Sequence, residues 1–338
     1  GKMHQLSLIG LGDIIKNYNA LSNFADDLVE YVMQQRPQLI LTVDAKGFSV
    51  QFAARLRRQM RRSGWKAPII HTVAPTVWAW GMWRRHKFAR VFDGLLCLFP
   101  FEPDYFSPLG LPSYFIGHPA AFDIKPRPLA QKSSILPICA PQIAILPGSR
   151  ISEIKYILPI MLSAVELLKE AYPRAVFTLP AVPQLHHQIS AICSGKLINI
   201  IDGDAKLAIT LTNCDAVIAT SGTVTLEAAL YGVPGVACYK AGWLSATLGR
   251  MIVDMQKVIL PNAILGHEVY PFLFQERLTA TELSNAVTGI LNDPNAKSTA
   301  LNAAQQLRAI LLGESGQFDE LVIDAWAKLR GQVPLGVN

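Results

Sequence analysis

Charged residues are scarce in this 338-residue sequence: Asp, Glu, Lys and Arg make up 17%, against 51% hydrophobic residues. That balance is apolar for a soluble protein, yet long apolar runs are missing too. No stretch of about 18 uncharged apolar residues occurs, which argues against a membrane-spanning helix. Cysteine is sparse, at 97, 139, 193, 214 and 238, and no two have C-x-x-C spacing. Most of these lie in apolar runs, so they read as reduced core thiols in a cytosolic setting. No secretory leader is read at the start, where GKMHQLSLIG opens directly on a strand-like run. A dinucleotide fingerprint also fails. SLIGLGDII (7–15) offers a strand and a G-x-G, but Ile15 stands at the third glycine position. The DGD at 202–204 resembles a metal-binding carboxylate pair, but turn and cap chemistry between a strand and a helix explains it, and no metal is assigned.

What is present begins with a charge of +6, from 31 basic and 25 acidic residues. It favours anionic partners and leaves nucleic acid, sugar nucleotide and anionic lipid open. The length suffices for two domains with proper cores. Short β-rich runs at 38–45, 67–74 and 93–100 alternate with helical stretches at 24–35 and 50–62. A proline-rich segment without periodicity, 122–142, reads as a linker. Strands at 143–149, 175–180, 197–202, 215–220 and 234–239 follow, with a helix over about 152–171 and a tail of helices from 281 to 330. Alternation of this kind predicts α/β architecture with parallel sheets in two Rossmann-like domains, 1–122 and 140–312, facing a cleft. A terminal helix over about 313–338 is expected to pack back on the first.

The most informative stretch is TSGTVTLEAALYGVP (220–234). Ser221 reads as the N-cap of a helix entered from a strand, and Gly222 lets a ligand approach the backbone. The first free N–H groups of that helix form an anion site. Glu227 lies on an otherwise apolar stripe, where ribose hydroxyls would be good donors to it; the plainer alternative is a salt bridge to a nearby arginine. A second strand–loop–helix corner, AILPGSRISEI (144–154), makes a turn at Pro147, Gly148 and Ser149 and projects Arg150, a fork suited to phosphate or a solvated loop residue. Phosphate at the corners and ribose on the glutamate spell a nucleotide. Asp44 ends a strand of the first block, as a general base or as a helix cap. His71 reads as structural. The segment 78–92 interleaves Trp78, Trp80 and Trp83 with Arg84, Arg85, Lys87 and Arg90. It suits an anionic membrane surface, nucleic-acid stacking, or a helix with tryptophan inside and arginine outside.

These motifs together are familiar. VAPTVWAW, LFPFEPDYF and FIGHP in the first block, then LPGSR…E, SGTVTLEAAL…P, LPNAILG and FQE in the second, resemble the lipid-A-disaccharide synthase family over nearly the whole chain. The resemblance implies a GT-B glycosyltransferase. It would join UDP-2,3-diacylglucosamine to 2,3-diacylglucosamine 1-phosphate with inversion, releasing UDP and a β-1,6-linked disaccharide 1-phosphate. It implies catalytic roles for Asp44 and Arg150. Gly148, Ser149, Ser221, Gly222, Thr223, Glu227, Asn262 and Gln275 would bind the UDP donor. It further implies no cofactor, no nucleic acid, and a peripheral place on the cytoplasmic face of the inner membrane. Trp78, Trp80, Trp83, Arg84, Arg85 and Lys87 would form the membrane or acyl surface; a homo-oligomer stays open.

Two departures stand out. DAKGF (44–48) puts Lys46 where the family commonly has proline, and Gly47 where a second acid often stands, leaving Asp44 alone. The family's leading strand and its glycine-rich GE-x-SGD loop fall before the position matching Gly1, so an incomplete first sheet is expected. A UDP-sugar 2-epimerase and a non-catalytic nucleotide-binding remnant are the alternatives.

Overall fold

A computed structural model of the chain describes residues 11–79, 81–126, 140–240 and 257–313, with 320, 323, 324 and 326–328; for 11–19, 204 and 205 it describes the backbone alone. The chain divides into two units, Gly1–Pro119 with Leu311–Asn338, and Ala120–Ile310. Both are α/β with parallel sheets.

The first unit runs α1 (Leu11–Gln35), β1 (Ile40–Val43), α2 (Lys46–Ser63), β2 (Ile69–Thr72), α3 (Arg84–Val91), β3 (Gly94–Cys97) and β4 (Ser113–Phe115). In α2 the buried side chains are Ser49, Phe52, Ala53, Leu56 and Met60, the spacing of an amphipathic helix, and its arginines fall outside that stripe. The sheet order is β1-β2-β3-β4, parallel throughout. Central β2 and β3 are buried at every position, which is why IIHT and GLLC lack alternation. Phe52, Leu56, Ile69, Phe88, Leu95 and Phe106 join the core on one face, while Ile70, Leu96 and Ile116 meet Trp326 on the other. Residues 11–15 are helical, so the expected strand does not extend past Gly10; 1–10 lie outside the described residues.

The second unit contains β5 (Gln142–Leu146), α4 (Ile151–Tyr156), α5 (Leu158–Ala171), β6 (Val176–Ala181), α6 (His186–Ile192), β7 (Asn199–Asp202), α7 (Gly203–Asn213) and β8 (Ala216–Thr220). It continues with α8 (Thr223–Leu230), β9 (Gly235–Tyr239), α9 (Leu260–Leu265), β10 (Phe272–Phe274) and α10 (Ala280–Asn292). A last helix, α11 (Ala296–Leu312), carries the chain into the first unit's second segment. The helix expected over 152–171 is two helices, because Pro159 lacks an N–H and opens a new one. The strand order β10-β9-β8-β5-β6-β7 is that of a doubly wound sheet. Ile145, Leu158, Met161, Phe177, Ile218 and Leu283 belong to its core, each large side chain contributing about 2 kcal/mol by burial. Strand order reverses between β5 and β8, and crevices outside the C-terminal strand ends at such a switch point are where α/β sheets hold ligands.

Candidate functional site

The two predicted corners of the second unit lie at the C-terminal ends of adjacent strands, β5 and β8, and the ends of β9 and β10 lie beside them in the same sheet. After β8 the chain turns through Ser221 and Gly222 into α8. The N-cap is Gly222, at φ 151°, and not Ser221, whose N–H instead donates to Cys238 O at 2.9 Å and continues the sheet. Thr225 Oγ1 donates to Gly222 O at 2.7 Å, and no side chain caps the helix. One turn on, Glu227 is half-buried among buried Thr225, Leu226, Ala228 and Ala229. Among the described residues it has no ion pair or side-chain hydrogen bond. Burial raises its carboxyl above the ordinary range.

The corner after β5 is built differently. Gly148 has φ 101°, which suits glycine, and Arg150 occupies the N-cap position of α4. Buried Glu153 reaches back: its Oε2 accepts from the N–H groups of Ser149 (3.0 Å) and Arg150 (3.2 Å). Its Oε1 accepts from Arg150 Nη1 at 2.6 Å. The Arg150 side chain is otherwise 73% exposed. Tyr239, at the end of β9, has its phenol raised by burial and by Glu153, against the opposing influence of Arg150.

After β10, Gln275 is buried at φ 53°, and its Nε2 has no hydrogen-bond partner among the described residues. Thr220 Oγ1, buried at the end of β8, has none among them either. Asn262 spends its amide on the loop before β10: Oδ1 accepts from Val269 N (2.9 Å) and Tyr270 N (3.0 Å), and Nδ2 donates to Tyr270 O (2.8 Å). It shapes that loop. No three His, Cys, Asp or Glu side chains gather to hold a metal among the described residues.

In the first unit Asp44 follows β1 in a left-handed conformation, φ 48°. It does not cap α2, whose N-cap is Ala45 without a side-chain bond. Its carboxylate is 65% exposed and lies 3.6 Å from Lys46 Nζ. His71 is fully buried, with Nδ1 2.8 Å from Thr42 Oγ1 and its ring stacked on Phe92. Burial, then Lys46, lowers it to about 4.

The aromatic, basic segment divides. Trp78 is 5% exposed and Trp83 63%. Trp78 is therefore not part of the surface: its indole N–H donates to Glu102 Oε1 at 3.2 Å, and its ring packs edge-on against Phe99 and Phe101. Arg84 is half-buried and donates to the carbonyls of Gly81 and Thr76, both at 3.3 Å, so it ties the loop. Arg85 is half-buried, Lys87 exposed, and Trp80 outside the described residues.

Sequence reasoning gives no role to Glu102 or Glu153, although both stand in the quoted motifs LFPFEPDYF and LPGSR…E. Their shared signal is a glutamate three residues after an N–H that it accepts, Phe99 to Glu102 and Arg150 to Glu153. Buried Glu102 also accepts from Leu98 N at 3.0 Å, and burial raises it to about 7 against these donors.

These shifts set opposed pH slopes. His71 and His118, both lowered to about 4 by burial, stabilise the fold above pH about 6.5 and lose that contribution as pH falls towards 4. Glu102, raised, acts oppositely: its contribution is present below pH about 4.5 and lost as pH rises through 7. Urea midpoints should fall between pH 6.5 and 4.5, and more steeply in Glu102→Gln, which removes the compensating group. An equal or shallower slope in that variant would contradict the assignment.

The profile of the family described as lipid-A-disaccharide synthetase matches residues 1–322. The lipid-A-disaccharide synthase of Anaeromyxobacter sp. (strain K) is 34% identical over 315 residues, covering 92% of this chain and 80% of that protein. That of Paraburkholderia phytofirmans is 32% identical over 338 residues, 98% of this chain and 85% of the relative. Among solved structures, UDP-GlcNAc 2-epimerase from Neisseria meningitidis superposes with TM-score 0.59 at 13% identity, covering 95% and 83% of the two chains. MurG of Acinetobacter baumannii gives 0.55 at 16%, covering 91% and 78%. These two show the fold alone, GT-B, with two parallel-sheet domains. The family match and the relatives each cover most of the chain, and the chain belongs to the lipid-A-disaccharide synthase family, glycosyltransferases of lipid A biosynthesis.

Proposed function

We propose that the chain is an inverting transferase that joins UDP-2,3-diacylglucosamine to 2,3-diacylglucosamine 1-phosphate. The observation that carries this reading is Glu227, a half-buried carboxylate with no ion pair among the described residues, one turn beyond the uncapped start of α8. Ribose hydroxyls donate to Glu227, and the diphosphate takes the N–H groups at the start of α8 and the Arg150 guanidinium. Gln275 Nε2, buried and without a partner among the described residues, would donate to the donor substrate, and Asn262 serves it by holding the loop before β10. The acceptor's 6-hydroxyl oxygen attacks C1 of the donor sugar as its proton passes to Asp44. The C1–O bond to the diphosphate breaks, UDP departs with the electron pair, and C1 inverts. Amides and guanidinium meet the charge that grows on the leaving group.

Incubation with both substrates, followed by mass spectrometry, tests this. Disaccharide 1-phosphate and UDP are expected. UDP binding without disaccharide would sink the transferase reading in favour of a nucleotide-binding remnant.

Both substrates carry acyl chains, so the chain is proposed to work at the cytoplasmic membrane surface, with exposed Met82, Trp83 and Lys87 against anionic lipid. No helix among the described residues is long and apolar enough to cross a membrane. Trp83→Ser should weaken sedimentation with phosphatidylglycerol vesicles by about three- to tenfold while leaving the melting temperature unchanged. Unchanged sedimentation would remove Trp83 from the contact.

A further inference from the structure

We propose that Glu153 is a positioning residue for Arg150, a reading that rests on the transferase function above. Its carboxylate is buried under the β5 corner and engaged by it at both oxygens. Oε2 takes the main-chain N–H groups of Ser149 and Arg150, and Oε1 takes Arg150 Nη1. A single buried anion therefore fixes the backbone of Arg150 and the tip of its otherwise exposed side chain. Gly148 belongs to the same device, since a Cβ there would lie 2.1 Å from Glu153 Oε2.

The two corners consequently differ in what they offer a ligand. At β5 the Ser149 and Arg150 amides are already satisfied, and α4 is only six residues long. That corner supplies a cation. The start of α8, with no side-chain cap, supplies amides. A free arginine would sample many rotamers. With one N–H held by Glu153, its remaining donors present a fixed fork. A guanidinium aimed in advance needs no reorganisation as charge develops on the departing diphosphate. Removing the aim should therefore lower kcat more than it raises the donor KM.

A double-mutant cycle on the full chain tests this, using Glu153→Gln, Arg150→Ala and the pair. Glutamine keeps the shape and one acceptor oxygen but loses the charge. Glu153→Gln should lower kcat about tenfold or more with donor KM within about threefold. Added to Arg150→Ala, it should cost less than about twofold further, because its effect runs through the missing guanidinium. Effects that multiply, or wild-type kcat in Glu153→Gln, would overturn the proposal. If circular dichroism shows Glu153→Gln unfolded, Gly148→Ala replaces it in the cycle, since it crowds the carboxylate without altering its charge. If the wild type binds UDP but forms no disaccharide, the transferase reading fails. The same cycle on calorimetric UDP affinity then decides Glu153, with non-additive losses supporting it and additive ones rejecting it. A wild type that binds no UDP overturns both.

Discussion

Asp44→Ala should lower turnover by about 10²- to 10⁴-fold, the range a general base contributes, and leave UDP affinity within about twofold. The geometry separates the two effects. Asp44 ends β1 with its carboxylate 65% exposed, takes no part in capping α2, and has Lys46 3.6 Å away. Its main-chain N–H donates to Thr72 O at 3.0 Å and Ser49 Oγ donates to its carbonyl at 2.8 Å, so the backbone is held without the side chain. Removing the carboxylate therefore deletes a proton acceptor and little else. UDP release under saturating substrates and calorimetry with UDP measure the two halves. Normal turnover would take the catalytic role away from Asp44. Loss of UDP affinity would mean that the residue serves binding.

Glu227→Ala should weaken UDP binding about 10- to 100-fold, the worth of hydrogen bonds to a charged acceptor. The side chain lies on a helix of small and apolar residues, TVTLEAAL, whose neighbours offer it no counter-ion among the described residues. In the proposed complex the ribose hydroxyls donate to the ionised form. Because burial raises the Glu227 carboxyl, UDP affinity should fall as pH drops through that raised value, and the alanine variant should lose this dependence. Tyr231, whose phenol is raised by burial and then by Glu227, ionises far above that window. Unchanged affinity in the alanine variant would leave the ribose without its proposed partner.

Much of this was legible beforehand, for reasons that particular residues make plain. Fully apolar strands such as AVIAT and GVACY, each ending at Gly, Ser or a polar residue, announce a buried parallel sheet. The shorter strands SYF and FLF escape because three residues carry no usable periodicity. Ser221 was expected to cap α8, yet the sheet reaches one residue farther and Gly222 takes the position. Which tryptophan turns inward could not be read from WAWGMW, because the choice depends on Glu102, a partner 24 residues away that accepts the Trp78 indole. Glu153 was hidden in a helix start that looks ordinary until the left-handed Gly148 brings the loop over it.

The reversal of strand order between β5 and β8 has a kinetic side. The Asp215 carboxylate that accepts from Gln142 N at the start of this pairing lies 73 residues along the chain. Joining β5 to β8 closes the longest loop in that sheet, after β6 and β7 can already have assembled on the other flank. Such closure costs entropy before any contact rewards it, and it slows folding. The two corners that flank the seam are brought together only by that event. Nucleotide binding should therefore be the last property to return on refolding, behind helical signal and core fluorescence, and the nucleotide itself should hold the seam shut.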